Sequence, residues 1–171
     1  MSCTTLLFRP LNASRKAFVV PTSNEFPLSA AELAFIRYAS QSGTQFLLVG
    51  LAAAVLQGAD AVTQDLDLWF RSVSDPRVAE AARHAGGVLI WRTTPPMVSG
   101  PDLDKLDLVI HCDGLASFDE EFAHAVDIQV ADFIIKALPL ERIIASKEAA
   151  NRDKDRAVLP ALHAALAAIK A

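Results

Sequence analysis

The chain has 171 residues, 52% of them hydrophobic, with 16 Lys and Arg against 20 Asp and Glu for a net charge of -4. That length suits one domain able to bury a core, and the apolar share excludes a disordered chain. The acidic balance supplies no general basic field for non-specific nucleic-acid binding, although a local basic patch stays open.

The longest apolar stretch, Phe46 to Leu56 with Gly50 inside it, falls well short of the ~18 to 20 residues a membrane-spanning helix needs. Met1 to Pro10 lacks the basic, apolar and small-residue regions of an export signal, so the sequence predicts a cytoplasmic chain with no membrane partner. Cys3 and Cys112 form neither a metal spacing nor a disulfide framework. A mean hydropathy of +0.29 is high for such a chain and suggests an apolar face covered by a second copy or a partner protein.

In chain order, Pro27 to Gln41 carries Leu28, Leu33, Phe35, Ile36 and Ala39 at helical spacing behind Ser29, a capping residue. Thr44 to Val49 reads as a short buried strand ending at Gly50, and Leu51 to Gln57 as an Ala-rich helix stopped by Gly58. Gln64 to Phe70 is a second strand. Asp75 with Pro76 opens a helix to about His84, because Asp caps and Pro suits the first helical position. Val88 to Trp91 is a third strand, and Thr93 to Leu103, with three prolines and Gly100, a loop. Lys105 to Cys112 alternates with period two, which places Asp107 opposite the leucines. Phe118 to His124 is a helical turn, and Asp127 to Ile134 one strand or a strand pair. From Pro139 the pattern is helical to the end, with a polar interruption at Asn151 to Arg156. Strands alternating with helices, then helices alone, predict an α/β or α+β fold with a mixed sheet.

The chemistry concentrates in Asp65 and Asp67, two carboxylates inside an otherwise apolar strand. An unpartnered buried Asp is costly, and residues two apart share a face, so this face requires solvent or a cation. Two oxygen donors on one strand suit Mg2+, which keeps several waters and binds substrate phosphates. Asp107 on a neighbouring strand is the candidate third carboxylate, which would allow two metals about 3.5 to 4 Å apart, as in phosphoryl and nucleotidyl transfer. Upstream, Gly50 ends a strand and starts a helix, where backbone amides can face a phosphate. Blander readings stand beside these: solvated acids on an edge strand, an Asp107–Lys105 pair, and glycines that only mark helix boundaries. His84, His111, His124 and His163 fall in no metal spacing. No hydrolase elbow, phosphate loop or dinucleotide fingerprint is present.

Strand, Gly50, Ala-rich helix, Gly58, Thr63, Asp65, Asp67, Asp107 and the late stretch SKEAANRDKD together resemble the DNA polymerase beta superfamily of minimal nucleotidyltransferases. The likeness is greatest to its abortive-infection and toxin-antitoxin members and covers Phe46 to the C-terminal helix. It implies one nucleotidyltransferase-like domain over residues 1–171, with a mixed-sheet core over 28–136 and C-terminal helices over 139–171.

The resemblance further implies a Mg2+-dependent enzyme that moves a nucleoside monophosphate from a nucleoside triphosphate such as ATP to a hydroxyl on RNA, protein or a small molecule. Asp65, Asp67 and Asp107 would be the catalytic metal ligands. Gly50, Leu51, Thr63, Lys147 and Arg152 would line the nucleotide site, and the late Lys147, Arg152, Lys154 and Asp155 would bind nucleotide or fasten the last helices to the sheet. Two departures stand out: Gly50-Leu51 replaces the usual Gly-Gly or Gly-Ser, and Ala61 stands where many relatives carry Arg. They motivate the alternative of a degenerate member acting as a binding or regulatory module, alone as a homodimer or with a cognate toxin-antitoxin partner.

Overall fold

The computed structural model describes residues 28–171. The expectations for Met1 to Pro10, for Cys3 and for Pro27 lie outside the described residues. Helix α1 (Ala30–Gln41) starts at a capping box: Glu32 N donates to Ser29 Oγ at 3.0 Å, and Ser29 N donates to Glu32 Oε2 at 2.7 Å. Two of the first turn's unpaired amides are thus satisfied reciprocally. Phe35, Ile36 and Ala39 form its buried face.

Strand β1 (Phe46–Leu48) is buried throughout and feeds α2 (Gly50–Leu56) through Gly50, whose φ of 65° is the left-handed region open to glycine. Strand β2 (Leu66–Phe70) follows, then α3 (Pro76–His84), with Asp75 accepting a bond from Arg77 N at its start. Strands β3 (Val88–Ile90) and β4 (Met97–Ser99) pair as a separate antiparallel hairpin. The expected loop from Thr93 to Leu103 therefore contains a strand, too short among its prolines to show a period. Next come β5 (Leu106–Val109) and α4 (Phe118–Ala123).

The stretch read as one strand or a pair is a hairpin, β6 (Val126–Val130) and β7 (Phe133–Ala137), turned through Ala131 at φ 49°. Helices α5 (Leu140–Ala150) and α6 (Asp153–Lys170) complete the chain. The expected polar interruption of six residues shrinks to Asn151 and Arg152, because Asn151 adopts the left-handed conformation, φ 49°, that ends a helix in one step.

The main sheet has the order β5-β2-β1-β7-β6 and is mixed: β2 and β5 are parallel, β1 and β7 are parallel, and β1–β2 and β6–β7 are antiparallel. One face carries Leu66, Leu68 and Phe70, and α1 lies over it, with Phe35 edge-on to Phe70 at 6.3 Å. The other carries Asp67 and Trp69. Phe118 of α4 meets Trp69 edge-on at 5.5 Å, and α2, α5 and α6 pack in series on this side. The buried apolar residues form one continuous cluster.

The end of α2 is locked by a residue whose role was not legible in the sequence. Buried Gln57 donates through Nε2 to Ala53 O and Leu138 O, both at 2.9 Å, and its Oε1 accepts from Leu140 N at 3.0 Å. One amide side chain thus joins α2, β7 and the start of α5. Side-chain groups without a partner in the interior would be costly, and this arrangement leaves none of these unmet.

Candidate functional site

Asp67 is the register partner of Asp107 across the parallel pair β2–β5. Register partners on adjacent strands, about 4.8 Å apart, point to the same face. The strand expected from Gln64 begins at Leu66, so Asp65 lies just before β2, exposed, and its charge is felt by both Asp67 and Asp107. Because β2 lies between β1 and β5, Asp67 is not on an edge strand; among the described residues Asp107 is, and it is exposed.

Asp67 is half-buried against the start of α2. A Cβ at position 50 would lie 2.0 Å from Asp67 Oδ2, so the carboxylate fits only because residue 50 is glycine. Val49 N donates to Asp67 O at 2.9 Å and fixes the backbone of this contact. Burial first, then the negative charges of Asp107 and Asp65, push the Asp67 carboxyl up to about 6, against the opposing charges of Lys147 and Lys154. Asp107 is raised as well, by burial and then by Asp65, with Lys154 opposing.

Among the described residues, none of the three carboxylates forms an ion pair. Lys105 contributes its backbone oxygen to Leu66 N at 2.7 Å rather than its charge to Asp107. The acids thus form a negative cluster that Lys147 and Lys154 offset only from a distance, and a hard divalent cation suits its charge and its oxygen donors. Among the described residues, however, no group of three His, Cys, Asp and Glu side chains is disposed to hold a metal ion. Asp67 and Asp107 share a face, yet the three acids are not closed into a ligand set.

The remaining candidates are distributed as follows. Thr63 Oγ1 accepts from Asp65 N at 3.2 Å, a local turn that sets the approach to β2. Leu51 is half-buried against the core. Lys147 donates to Asp155 Oδ1 at 3.0 Å, and Arg152 bonds the other oxygen of the same fully buried carboxylate. Burial raises Asp155, but the bonds from Arg152 and Lys147 outweigh it and hold the group below the usual carboxylate range. His84 stacks on Tyr38, His163 lies 3.3 Å from Glu148, and His111 lies 3.9 Å from Asp113.

The Cys112 thiol, which had no role in the sequence reading, is pushed up to about 12 by burial and then by Asp67, Asp113 and Glu121. That proximity bridges 45 positions of chain, and no local pattern announces it.

Two hollows in the surface lie elsewhere. One, of about 160 Å³, is bounded by Thr44, Phe46, Phe122, Asp127, Ile135 and Lys136 among others. The second is lined by Tyr38, Glu80, Arg83 and His84. Neither includes the acids, whose geometry and charge make them the stronger candidate. No protein-family model and no curated protein matches the chain.

Proposed function

We propose that the protein is a divalent-metal-dependent nucleotidyltransferase, with Asp65, Asp67 and Asp107 as its catalytic acids. The observation that carries the reading is the in-register pair Asp67–Asp107, with Asp65 just before β2 and Asp67 seated against Gly50. In this reading the three carboxylates hold Mg2+, and a nucleoside triphosphate lies on the same face of the sheet. Bound metal supplies neutralisation of phosphate charge and polarisation of the reacting oxygens. Asp107, exposed in β5, is accessible to an acceptor hydroxyl and would take up its proton as the alpha phosphate is attacked and pyrophosphate leaves. The rigid strand pair fixes the spacing of the acids, so positioning contributes much of the rate.

The test is transfer of label from an alpha-labelled nucleoside triphosphate, with Mg2+, to RNA, protein and small-molecule acceptors in an extract. The expected result is labelling of one acceptor class, reduced at least ~100-fold in Asp67→Asn, since the substitution removes a transition-state interaction. Labelling undiminished in that variant would falsify the assignment.

A second reading, a non-catalytic binding module, is favoured by Leu51 at the helix start, where a small or hydroxyl-bearing residue would suit a phosphate better. It forecasts no rise in melting temperature with Mg-ATP, whereas a nucleotide site raises it by mass action.

A further inference from the structure

The hairpin β3–β4 stands apart from the main sheet, and it departs from the usual pattern of one apolar and one polar face. Leu89 and Val98 pair across it and pack into the core. The opposite face is apolar too: Val88 and Met97 are 57% and 45% exposed, Ile90 is the register partner of Met97, and Trp91, next along the chain, is 51% exposed. A two-stranded ribbon is marginal alone, and apolar groups on both of its faces call for a layer on each. Among the described residues, only the inner layer is supplied.

The chain itself enters beside this face. Leu28 packs on the core, and Ser29 Oγ donates to Asp102 O at 2.7 Å, three residues beyond Ser99, which is the register partner of Val88. Three residues and one strand spacing separate Asp102 from Val88, at most about 16 Å. Residues 1–27, which lie outside the described residues, hold the apolar run Ala17-Phe18-Val19-Val20 behind Arg15 and Lys16. Val20 stands nine residues before Ser29, and that length of chain can span about 30 Å. The run is within reach. Charge also favours the meeting, since residues 1–27 carry Arg9, Arg15 and Lys16 against Glu25, which leaves the rest of the chain with an excess of six acids. Two of those acids, Asp102 and Asp104, are exposed in the connection from β4 to β5.

We propose that the segment Arg15–Val20 of this same chain docks on the outer face of β3–β4, its apolar residues against Val88, Ile90 and Met97. This docking is independent of any nucleotidyl transfer. A short tether holds a segment near its site at an effective concentration of about millimolar. A second copy at micromolar concentration competes poorly with it.

Trp91 reports the contact, because Trp69, the other tryptophan, is buried. Acrylamide quenching of the full chain in a Trp69→Phe background should find Trp91 shielded to the same degree at every protein concentration. Phe18→Asp should shift the docking equilibrium by about tenfold or more, as expected for one buried aromatic side chain, and raise the quenching. Met97→Asp, on the opposing surface, should do the same. Unhindered quenching that Phe18→Asp leaves unchanged overturns the proposal and leaves the face to a partner protein. Shielding that survives Phe18→Asp overturns it as well, and shielding that also grows with protein concentration makes the occupant a second copy. Should Trp69→Phe fail to fold, the difference between wild type and Trp91→Phe gives the same readout.

Discussion

Gly50 meets two independent demands. Its φ of 65° disfavours any side chain, and its missing Cβ leaves the volume that Asp67 Oδ2 occupies. Gly50→Ala should cost about 1 kcal/mol in backbone strain, with a further cost for moving a half-buried carboxylate. The variant is expected to melt below wild type and, if the proposed Mg2+ site is occupied in wild type, to lose the rise in melting temperature that the ion would give. Thermal melts of both proteins with and without Mg2+ measure this, and a Mg2+ response surviving intact in Gly50→Ala would separate Asp67 from the ion. The same contact explains why the residue pattern alone was ambiguous here. A glycine at a strand–helix junction is equally a helix boundary, and only the fold reveals what fills the space beside it.

Gln57 shows how elements are tied together by one side chain. Gln57→Leu keeps the volume but strips the partners from Ala53 O, Leu138 O and Leu140 N. Each of these groups then carries part of a buried desolvation penalty, so the expected loss is about 3 kcal/mol. Urea unfolding should show it as a lower midpoint at unchanged slope; an unaltered midpoint would mean that α2 is held by apolar packing alone.

Elements whose cause is local were legible in the sequence. Ser29 caps α1, Asp75-Pro76 starts α3, and Leu106, Asp107 and Leu108 alternate in β5. The short β4, the hairpin β6–β7 and the role of Gln57 depend on pairing with distant chain, which no local window contains. For the acids, the i, i+2 spacing of Asp65 and Asp67 suggested a shared strand face, but β2 begins only at Leu66 and leaves Asp65 on the approach to it. The meeting of Asp67 with Asp107 required the register of β2 against β5, and a slip of one residue would have put Asp107 among the leucines.

At the scale of the whole molecule, carboxylates of opposite character set the dependence of stability on pH. Burial, then Asp107 and Asp65, raise Asp67 from 3.8 to about 6, so the folded chain keeps a proton that the unfolded chain has released. Stability therefore falls as pH climbs through that window, by at most about 3 kcal/mol.

Asp155 and Glu121 act in the other direction. Glu121 is held low first by its hydrogen bond from Arg142, and Asp155 by Arg152 and Lys147 against its burial. Their stabilisation is present above the unfolded value and is lost as pH falls through the depressed folded ones. The metal-free protein should thus melt highest between about pH 4 and 5, with one limb falling to about pH 7 and levelling beyond it, and a second falling toward strong acid. The alkaline limb belongs to the acid face, so it should flatten in excess Mg2+, which offsets the repulsion, and equally in metal-free Asp67→Asn. The acid limb should respond to neither, because Asp155 and Glu121 draw on cations of α5 and the α5–α6 junction. Scanning calorimetry across this range decides the matter. A metal-free profile that stays level between about pH 5 and 7, or an alkaline slope that Asp67→Asn leaves in place, would mean that burial and the charges of Asp107 and Asp65 do not raise the Asp67 carboxyl in the folded protein. The acid face would then hold no strained negative charge for a cation to relieve.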